Sequence, residues 1–277
     1  MGANHVGEIE LLSEITLPDY GYITNFGKAH LEGFGSLDGV VKGKTELYNF
    51  LRKANKEIFV NADDSTQMQN SEGIKRITFG TEDSNYIITT IENSKQLRVQ
   101  YKGIDIQSNL VGHYNFPNIA AAIAIGAYFD VPPLQIKNGI ESYTPTNNRS
   151  QLLKKGTNTI LMDAYNANPS SMMVALDNFK NLEDTQKILI LGDMFELGVD
   201  AAGEHQTIVD YLSDETLGKT YLVGINFFET KVDDENICRF KTVENLKKEL
   251  KSNPPQNATI LIKASRGMEL EKIVEFL

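Results

Sequence analysis

Apolar and polar positions change rhythm along the 277-residue chain, and the change divides it near residue 147. A short apolar strand is expected from Tyr20 to Asn25, followed by a glycine-rich loop from Gly27 to Gly35. From Leu37 to Ala54, Val40, Val41, Leu47, Phe50 and Leu51 recur at helical spacing and predict an amphipathic helix. Short strand-like segments follow at Glu57–Asn61, Arg76–Phe79, Tyr86–Ile91, Leu97–Tyr101 and Ile104–Leu110, with Asn93, Ser94 and Gly103 as turn formers. They read as antiparallel sheet appended to an α/β core. An Ala- and Ile-rich helix is expected from Pro117 to Phe129, with Pro117 in the first turn, where a missing N–H costs nothing.

Thr144–Asn148, with Pro145 and two asparagines, reads as a hinge or linker. Beyond it the rhythm becomes regular. A strand at Thr159–Met162 precedes a helix capped by Ser170 or Ser171 and carrying Met173, Leu176, Phe179 and Leu182. Strands at Lys187–Leu191, Thr220–Val223 and Thr259–Ile262 then alternate with helices near Glu204–Leu212, Val243–Leu250 and Met268–Phe276. The expectation is an α/β chain of two domains, 1–147 with a mixed sheet plus antiparallel strands, and 148–277 with a Rossmann-like parallel sheet. Ligands of such sheets sit at the carboxyl ends of the strands, where Asp163, Gly192–Asp193 and Lys263–Arg266 fall.

Charge narrows the partners. A net charge of -10 argues against binding a nucleic-acid backbone or a membrane surface. A nucleotide stays compatible, because local basic groups and a cation can hold phosphate in an acidic protein. Cys238 is the sole cysteine, so no internal disulfide or cysteine-rich zinc site can form, and it reads as a small filler. No apolar run reaches membrane-spanning length, and Met1–His5 lacks the character of a signal peptide, so the expected compartment is the cytoplasm. Val6 stands where a myristoylation motif needs Ser or Thr.

Gly43-Lys44-Thr45 ends like a phosphate-binding loop, but the glycine needed five residues earlier is Asp38. The segment also lies inside the predicted helix, whereas such a loop joins a strand to a helix. It is not a P-loop.

Seven segments together resemble the Mur ligases of bacterial cell-wall synthesis. They are Gly2–Ile9, Ala29–Leu37, Lys42–Leu47, Gly112–Asn118, Asp163–Ser170, Leu191–Gly198 and Ile262–Met268. They follow the family's order over nearly the whole chain. Tyr165-Asn166-Ala167-Asn168-Pro169 resembles the branch that adds D-Ala-D-Ala to UDP-N-acetylmuramoyl tripeptide rather than the branch adding the third amino acid. The resemblance implies the family's central ATP-binding domain over 1–147 and its Rossmann-like C-terminal domain over 148–277. A full-length member carries a UDP-binding domain, a P-loop and a magnesium-binding glutamate before the segment matching Gly2. The expectation is therefore a truncated central domain, little or no ligase activity in the isolated chain, and a dimer or partner covering the shortened sheet.

The residues carry these implications one by one. His30, on its own a hydrogen-bonded loop histidine, matches the family's Mg2+ contact, with His5 and Asn4 near the same site or merely structural. Lys44, on its own a solvated helix lysine, matches a lysine N-carboxylated by carbon dioxide and able to orient Mg2+; Lys42 is the nearby alternative. A partly buried amine loses its proton more readily, and the neutral form reacts. Asn115 and Asn118 flank the start of the Pro117 helix; capping explains one of them, and the resemblance makes both readers of the ATP adenine. His113 either joins them or only shapes the turn. Arg149 matches a residue against the ATP phosphates, and Asp163 an acid near the ribose. Asn166, Asn168, Asp193, Glu196, Lys263, Ser265 and Arg266 form the expected wall for the peptide and the dipeptide, where an arginine can pair with a carboxylate in two-point fashion. His205 reads as structural.

The implied reaction runs through an acyl phosphate made from ATP and the tripeptide carboxylate, which the D-Ala-D-Ala amine then attacks. His30, Lys44 and Arg149 would carry its charge balance. A second reading is a non-catalytic nucleotide- or peptide-binding module derived from such a ligase. A third, a ligase of the folylpolyglutamate type, is disfavoured by Asn166-Ala167-Asn168-Pro169.

Overall fold

The computed structural model describes residues 1–28, 30–91, 96–183, 186–215 and 217–277, so Ala29 and the expected turn formers Asn93 and Ser94 lie outside the described residues. The chain divides into two compact units, Met1–Ser108 with His113–Tyr143, and Asn109–Gly112 with Thr144–Leu277.

In the first unit, helix α1 (Glu8–Thr16) is started from a distance. The Glu46 carboxylate accepts the N–H groups of Gly7 at 2.6 Å and Glu10 at 3.0 Å, meeting orphan donors at the positive end of the helix. Strand β1 (Tyr20–Tyr22) leads through the single turn of α2 (Leu31–Phe34) to α3 (Leu37–Lys53). Ser36 caps α3 by accepting from the Gly39 N–H at 3.1 Å, and Val40, Leu47, Tyr48 and Leu51 form its buried face. Gly43 sits mid-helix because a Cβ there would lie 2.5 Å from the Phe34 ring, so its glycine serves packing and not phosphate.

Strands β2 (Glu57–Asn61), β3 (Lys75–Gly80) and β4 (Tyr86–Ile87) join β1 in a parallel sheet of order β1-β2-β3-β4. Strands β5 (Thr89–Ile91), β6 (Gln96–Tyr101) and β7 (Ile104–Val111) make a separate three-stranded sheet. The sequence expectation of one antiparallel region from residue 57 onward is thereby corrected. A crossover helix, α4 (Ser65–Asn70), separates β2 from β3 and makes them parallel neighbours. Its start is fixed by Asp64, which accepts from the Gln67 N–H at 3.0 Å, but six residues are too few to show helical periodicity. The segment read as one strand over 86–91 is two, broken at the fully buried Ile88 between the sheets. Helix α5 (Phe116–Tyr128) begins with its proline in the first turn as expected, and α6 (Pro133–Ser142) completes the unit.

The second unit is a six-stranded sheet of order β12-β11-β10-β13-β9-β8. Edge strand β8 (Gln151–Lys155) pairs antiparallel with β9 (Asn158–Asp163). The others, β10 (Lys187–Gly192), β11 (Lys219–Val223), β12 (Ile237–Phe240) and β13 (Thr259–Lys263), run parallel to β9. Ile160, Met162, Ile188, Ile190, Ile260 and Ile262 are buried in one core, the near-continuous apolar strands of a sheet covered on both faces. The helices are α7 (Pro169–Lys180), α8 (Ala201–Glu215), the short α9 (Ile225–Glu229) and α10 (Val243–Ser252).

Two local expectations are corrected. Helix α7 is capped by Asn168, not by Ser170 or Ser171. The Asn168 side chain accepts from the Ser171 N–H at 2.8 Å, while Ser171 Oγ accepts from the Asn168 N–H at 3.1 Å, a reciprocal box. The helix expected over 268–276 is a pair of 3-10 segments, Arg266–Met268 and Leu270–Phe276, parted by Glu269 at φ 50°.

Gly224, before α9, has φ 124°, and a Cβ there would meet the Asp193 carboxylate at 2.2 Å. That carboxylate accepts the N–H groups of Asn226 and Phe227, each at 3.0 Å, so it cannot simply move aside. Gly224→Ala is expected to cost about 2–4 kcal/mol in urea unfolding, from backbone strain and overpacking together. Gly139→Ala, inside α6 with open space around its Cβ position, should instead stabilise by up to about 1 kcal/mol. Equal effects of the two substitutions would refute this account.

Candidate functional site

In the first unit, His30 has a left-handed backbone (φ 52°) and its carbonyl accepts from Gly33 and Phe34, each at 3.0 Å, closing the α2 turn. A Cβ on Gly33 would lie 2.2 Å from the Asn4 carbonyl oxygen and 3.2 Å from His5 Nε2, so the N-terminal segment rests on this turn. Glu8 shapes that segment. Its carboxylate accepts from the N–H groups of Asn4 at 2.6 Å and His5 at 3.1 Å, and those bonds, Asn4 first, lower its pKa.

Lys44 is half-buried on α3. Its ammonium donates to the Asn25 carbonyl at 2.7 Å and to Asn25 Oδ1 at 3.3 Å, in the loop that leads to His30. Burial alone pushes its pKa below the ordinary lysine value. Lys42, the alternative, is exposed. Mg2+ asks for oxygen donors. Among the described residues no three or more His, Cys, Asp or Glu side chains converge on a metal position, and His30 and unmodified Lys44 offer only nitrogen. These side chains as they stand do not compose a Mg2+ site.

Asn115 is buried at the start of α5 but makes no side-chain capping bond to the helix; the exposed Asn118 donates from Nδ2 to Asn115 Oδ1 at 3.4 Å. Capping therefore does not account for Asn115. The exposed His113 ring stacks on Phe116 with centroids 5.8 Å apart.

In the second unit, strand pairing brings Asp163 and Lys263 together at the carboxyl ends of β9 and β13. Lys263 is 2% exposed and donates from Nζ to Asp163 Oδ2 at 2.5 Å. Asp163 Oδ1 accepts from the Ser150 N–H at 3.2 Å, and the Asn148 carbonyl accepts from the Tyr165 N–H at 3.1 Å. Asn148 and Ser150 both have positive φ, 57° and 47°, and between them Arg149 lays its guanidinium over the Tyr165 ring, 3.7 Å from the centroid. An exposed cation is thus pre-positioned at the strand ends.

The remaining candidates separate by burial. Ser265, 2% exposed, accepts from the Phe195 N–H at 2.8 Å and donates to the Ala167 carbonyl at 3.3 Å, joining the loops after β9, β10 and β13. Asn168 is engaged as the cap of α7, and buried Asp193 as the cap of α9. Exposed are Asn166, whose Oδ1 accepts from the Ala167 N–H at 2.9 Å, and Arg266, whose side chain is 59% exposed and pairs with Glu271 at 3.0 Å. Glu196 is exposed with φ 62°. Tyr165, Asn25 and Glu46 were given no role from sequence. The signals for Tyr165 are its place at the head of the Tyr165-Asn166-Ala167-Asn168-Pro169 segment and a large aromatic side chain in a polar loop directly after a strand.

The chain is similar to known proteins in both sequence and fold. Residues 1–126 match the Mur ligase middle domain and residues 148–266 the Mur ligase glutamate ligase domain. The chain is 32% identical over its whole length to UDP-N-acetylmuramoyl-tripeptide--D-alanyl-D-alanine ligase of Bacillus subtilis, covering 63% of that protein. It is 28% identical to the Escherichia coli K12 enzyme of the same description, covering 64% of it. The chain thus spans less than two thirds of these relatives' length. Among solved structures, MurF from Acinetobacter baumannii superposes with a TM-score of 0.83 at 26% identity, over 99% of this chain and 63% of that one. MurF from Thermotoga maritima in complex with ADP gives 0.83 at 21% identity, over 100% and 65%, a likeness of fold. The two domain matches, the full-length identity and the structural agreement together establish that the chain belongs to the Mur ligase family.

Proposed function

We propose that this chain serves an ATP-dependent ligase of peptidoglycan synthesis that joins D-Ala-D-Ala to UDP-N-acetylmuramoyl tripeptide. The observation that carries the reading is Arg149, an exposed guanidinium fixed on Tyr165 beside the Asp163–Lys263 pair at the strand ends. The relatives named for this reaction and the neighbour solved with ADP support it. The proposed compartment is the cytoplasm. No helix of the described residues is long and apolar enough to cross a membrane.

In this reading Arg149 meets the nucleotide phosphates, and Asn115 with Asn118 offer amide donors and acceptors to the adenine. Asp163 holds Ser150, and through it the Arg149 segment, and its oxygens, each accepting one bond, keep lone pairs for the ribose hydroxyls. Asn166 and Arg266 are the exposed groups available to a peptide carboxylate, with Lys263, Ser265 and Asn168 as the frame behind them. The tripeptide carboxylate takes the γ-phosphoryl group, and the dipeptide amine then displaces phosphate from the acyl carbon. The chain's task is to neutralise phosphate charge and hold both reactants in line.

Lys44 is proposed to be N-carboxylated, with its carbamate and His30 turned toward Mg2+. The neutral amine forms an N–C bond to carbon dioxide, one C=O electron pair moves to oxygen, and the nitrogen proton leaves to solvent. Bound Mg2+ would supply charge neutralisation at the phosphates. The carbamate adds the oxygen donors that His30 and unmodified Lys44 lack.

Three measurements test the reading. Calorimetric titration of the chain with ADP and with D-Ala-D-Ala should show binding of both, and binding of neither would refute it. Tyr165→Ala should weaken ADP binding by about 2- to 30-fold, the worth of one cation–π contact, and Arg149→Ala by at least as much. Unchanged ADP affinity in both variants would remove Arg149 from the site. In 13C-bicarbonate buffer the wild-type chain should give a protein-bound carbamate carbon resonance that Lys44→Met lacks; the same spectrum from both would exclude the modification.

A further inference from the structure

His205 has no place in the reaction above, yet it is wholly buried and every polar atom of its ring is engaged. It lies on α8, its ring edge-on to Phe227 of α9 with centroids 4.6 Å apart. Nε2 accepts from the Met194 N–H at 3.0 Å, and Nδ1 lies 2.7 Å from the Ala201 carbonyl oxygen. These partners fix the tautomer. A carbonyl can only accept, so Nδ1 carries the proton; an amide N–H can only donate, so Nε2 must present its lone pair.

The bond lands on the segment after β10. Asp193 is turned back to cap α9, and Ser265 Oγ accepts from the Phe195 N–H at 2.8 Å. Met194 sits between these anchors, and after it come the exposed Phe195 and the left-handed Glu196. Without the His205 bond, the Met194 N–H would be a buried donor without a partner, a loss of about 1–3 kcal/mol.

We propose that neutral His205 is the positioning residue of the Met194–Glu196 loop, and that protonation at Nε2 releases the loop, so that peptide capture at this strand-end wall is weakened in acid. The last clause rests on the ligase reading; the release of the loop does not. A proton on Nε2 would face the Met194 N–H donor to donor, and a carboxylate oxygen that could accept it, Asp193 Oδ1, lies 3.7 Å away. That oxygen already accepts from the Phe227 N–H, so forming the new bond disturbs the α9 cap as well as the loop. Asp193 from the β10 loop and Glu204 from α8 are the charged groups acting on the ring, and both favour the proton. Burial outweighs them and holds the pKa below the ordinary histidine value, so the neutral form prevails at neutral pH. Since the unfolded chain takes up this proton first, the contribution of His205 to stability is full above the unfolded value and falls as pH drops below it.

Amide hydrogen exchange with NMR tests the loop, and calorimetry with D-Ala-D-Ala tests its consequence. In the wild-type chain the Met194 and Phe195 protection factors should fall tenfold or more between pH 7.5 and pH 5, together with affinity for the dipeptide. His205→Gln keeps an acceptor and a donor but cannot titrate, and its protection factors should be lower than wild type yet flat across that range. Protection that is equal at both pH values in the wild type, or that falls equally in His205→Gln, overturns the proposal. If the variant does not fold, 15N shifts of the wild-type ring decide: Nδ1–H at pH 7.5 supports it, and Nε2–H overturns it. A wild-type loop that responds to pH while no dipeptide binds at any pH overturns the ligase reading and leaves the positioning role standing.

Discussion

The pair of buried Lys263 and half-buried Asp163 is the constraint on which the strand-end surface depends. Two opposite charges removed from water at neighbouring strand ends gain little net stability, but loss of either partner strands the other at a cost of about 3–5 kcal/mol. The pair therefore acts as a registry device. It is formed by residues opposite one another across β9 and β13, and a shift of either strand would break it. The remaining oxygen of Asp163 takes the Ser150 N–H, which draws the segment after residue 147 down onto the sheet end. That segment can lie there only with Asn148 and Ser150 in left-handed conformations, a strain that the surrounding bonds must hold. Arg149 is the beneficiary, turned onto Tyr165 and left accessible.

The other strand-end polar groups follow the same division. Ser265, Asp193, His205 and Asn168 are occupied with one another's loops and helix ends, and the first three are buried. Arg149, Tyr165, Asn166, Phe195 and Arg266 stand in front of them with exposed side chains. A rigid polar frame with few exposed groups before it is what binding of charged small molecules needs, because the groups that meet ligand do not have to be ordered at the moment of binding.

Much of this was legible in the sequence, and the gaps have physical causes. The alternation of apolar strands and helices beyond residue 158 is strong enough to announce a parallel sheet, because strands covered on both faces must be apolar throughout. The helix over α3 was equally plain from its apolar stripe. Short elements escaped: α4 and α9 rest on single caps, and β8 presents no buried stripe, being an exposed edge. The antiparallel reading of β2 and β3 failed because strand direction is set by what lies between strands, and α4 was invisible. At the site, residue types were readable but partners were not. Asp163 and Lys263 stand 100 positions apart, and nothing local declares that they meet. Asn168 and Ser265 are readable as polar loop residues at strand ends, but the sequence does not show that Asn168 also caps α7 or that Ser265 also ties three loops together.

A double-mutant cycle on Asp163 and Lys263, followed by urea unfolding and ADP titration together, tests the central claim most directly. Asp163→Asn and Lys263→Met should each destabilise by about 3–5 kcal/mol and each weaken ADP binding, while the double variant should be destabilised by clearly less than their sum. Additive losses of stability, or single variants that bind ADP as tightly as wild type, would contradict the claim that this pair sets the strand ends and positions Arg149.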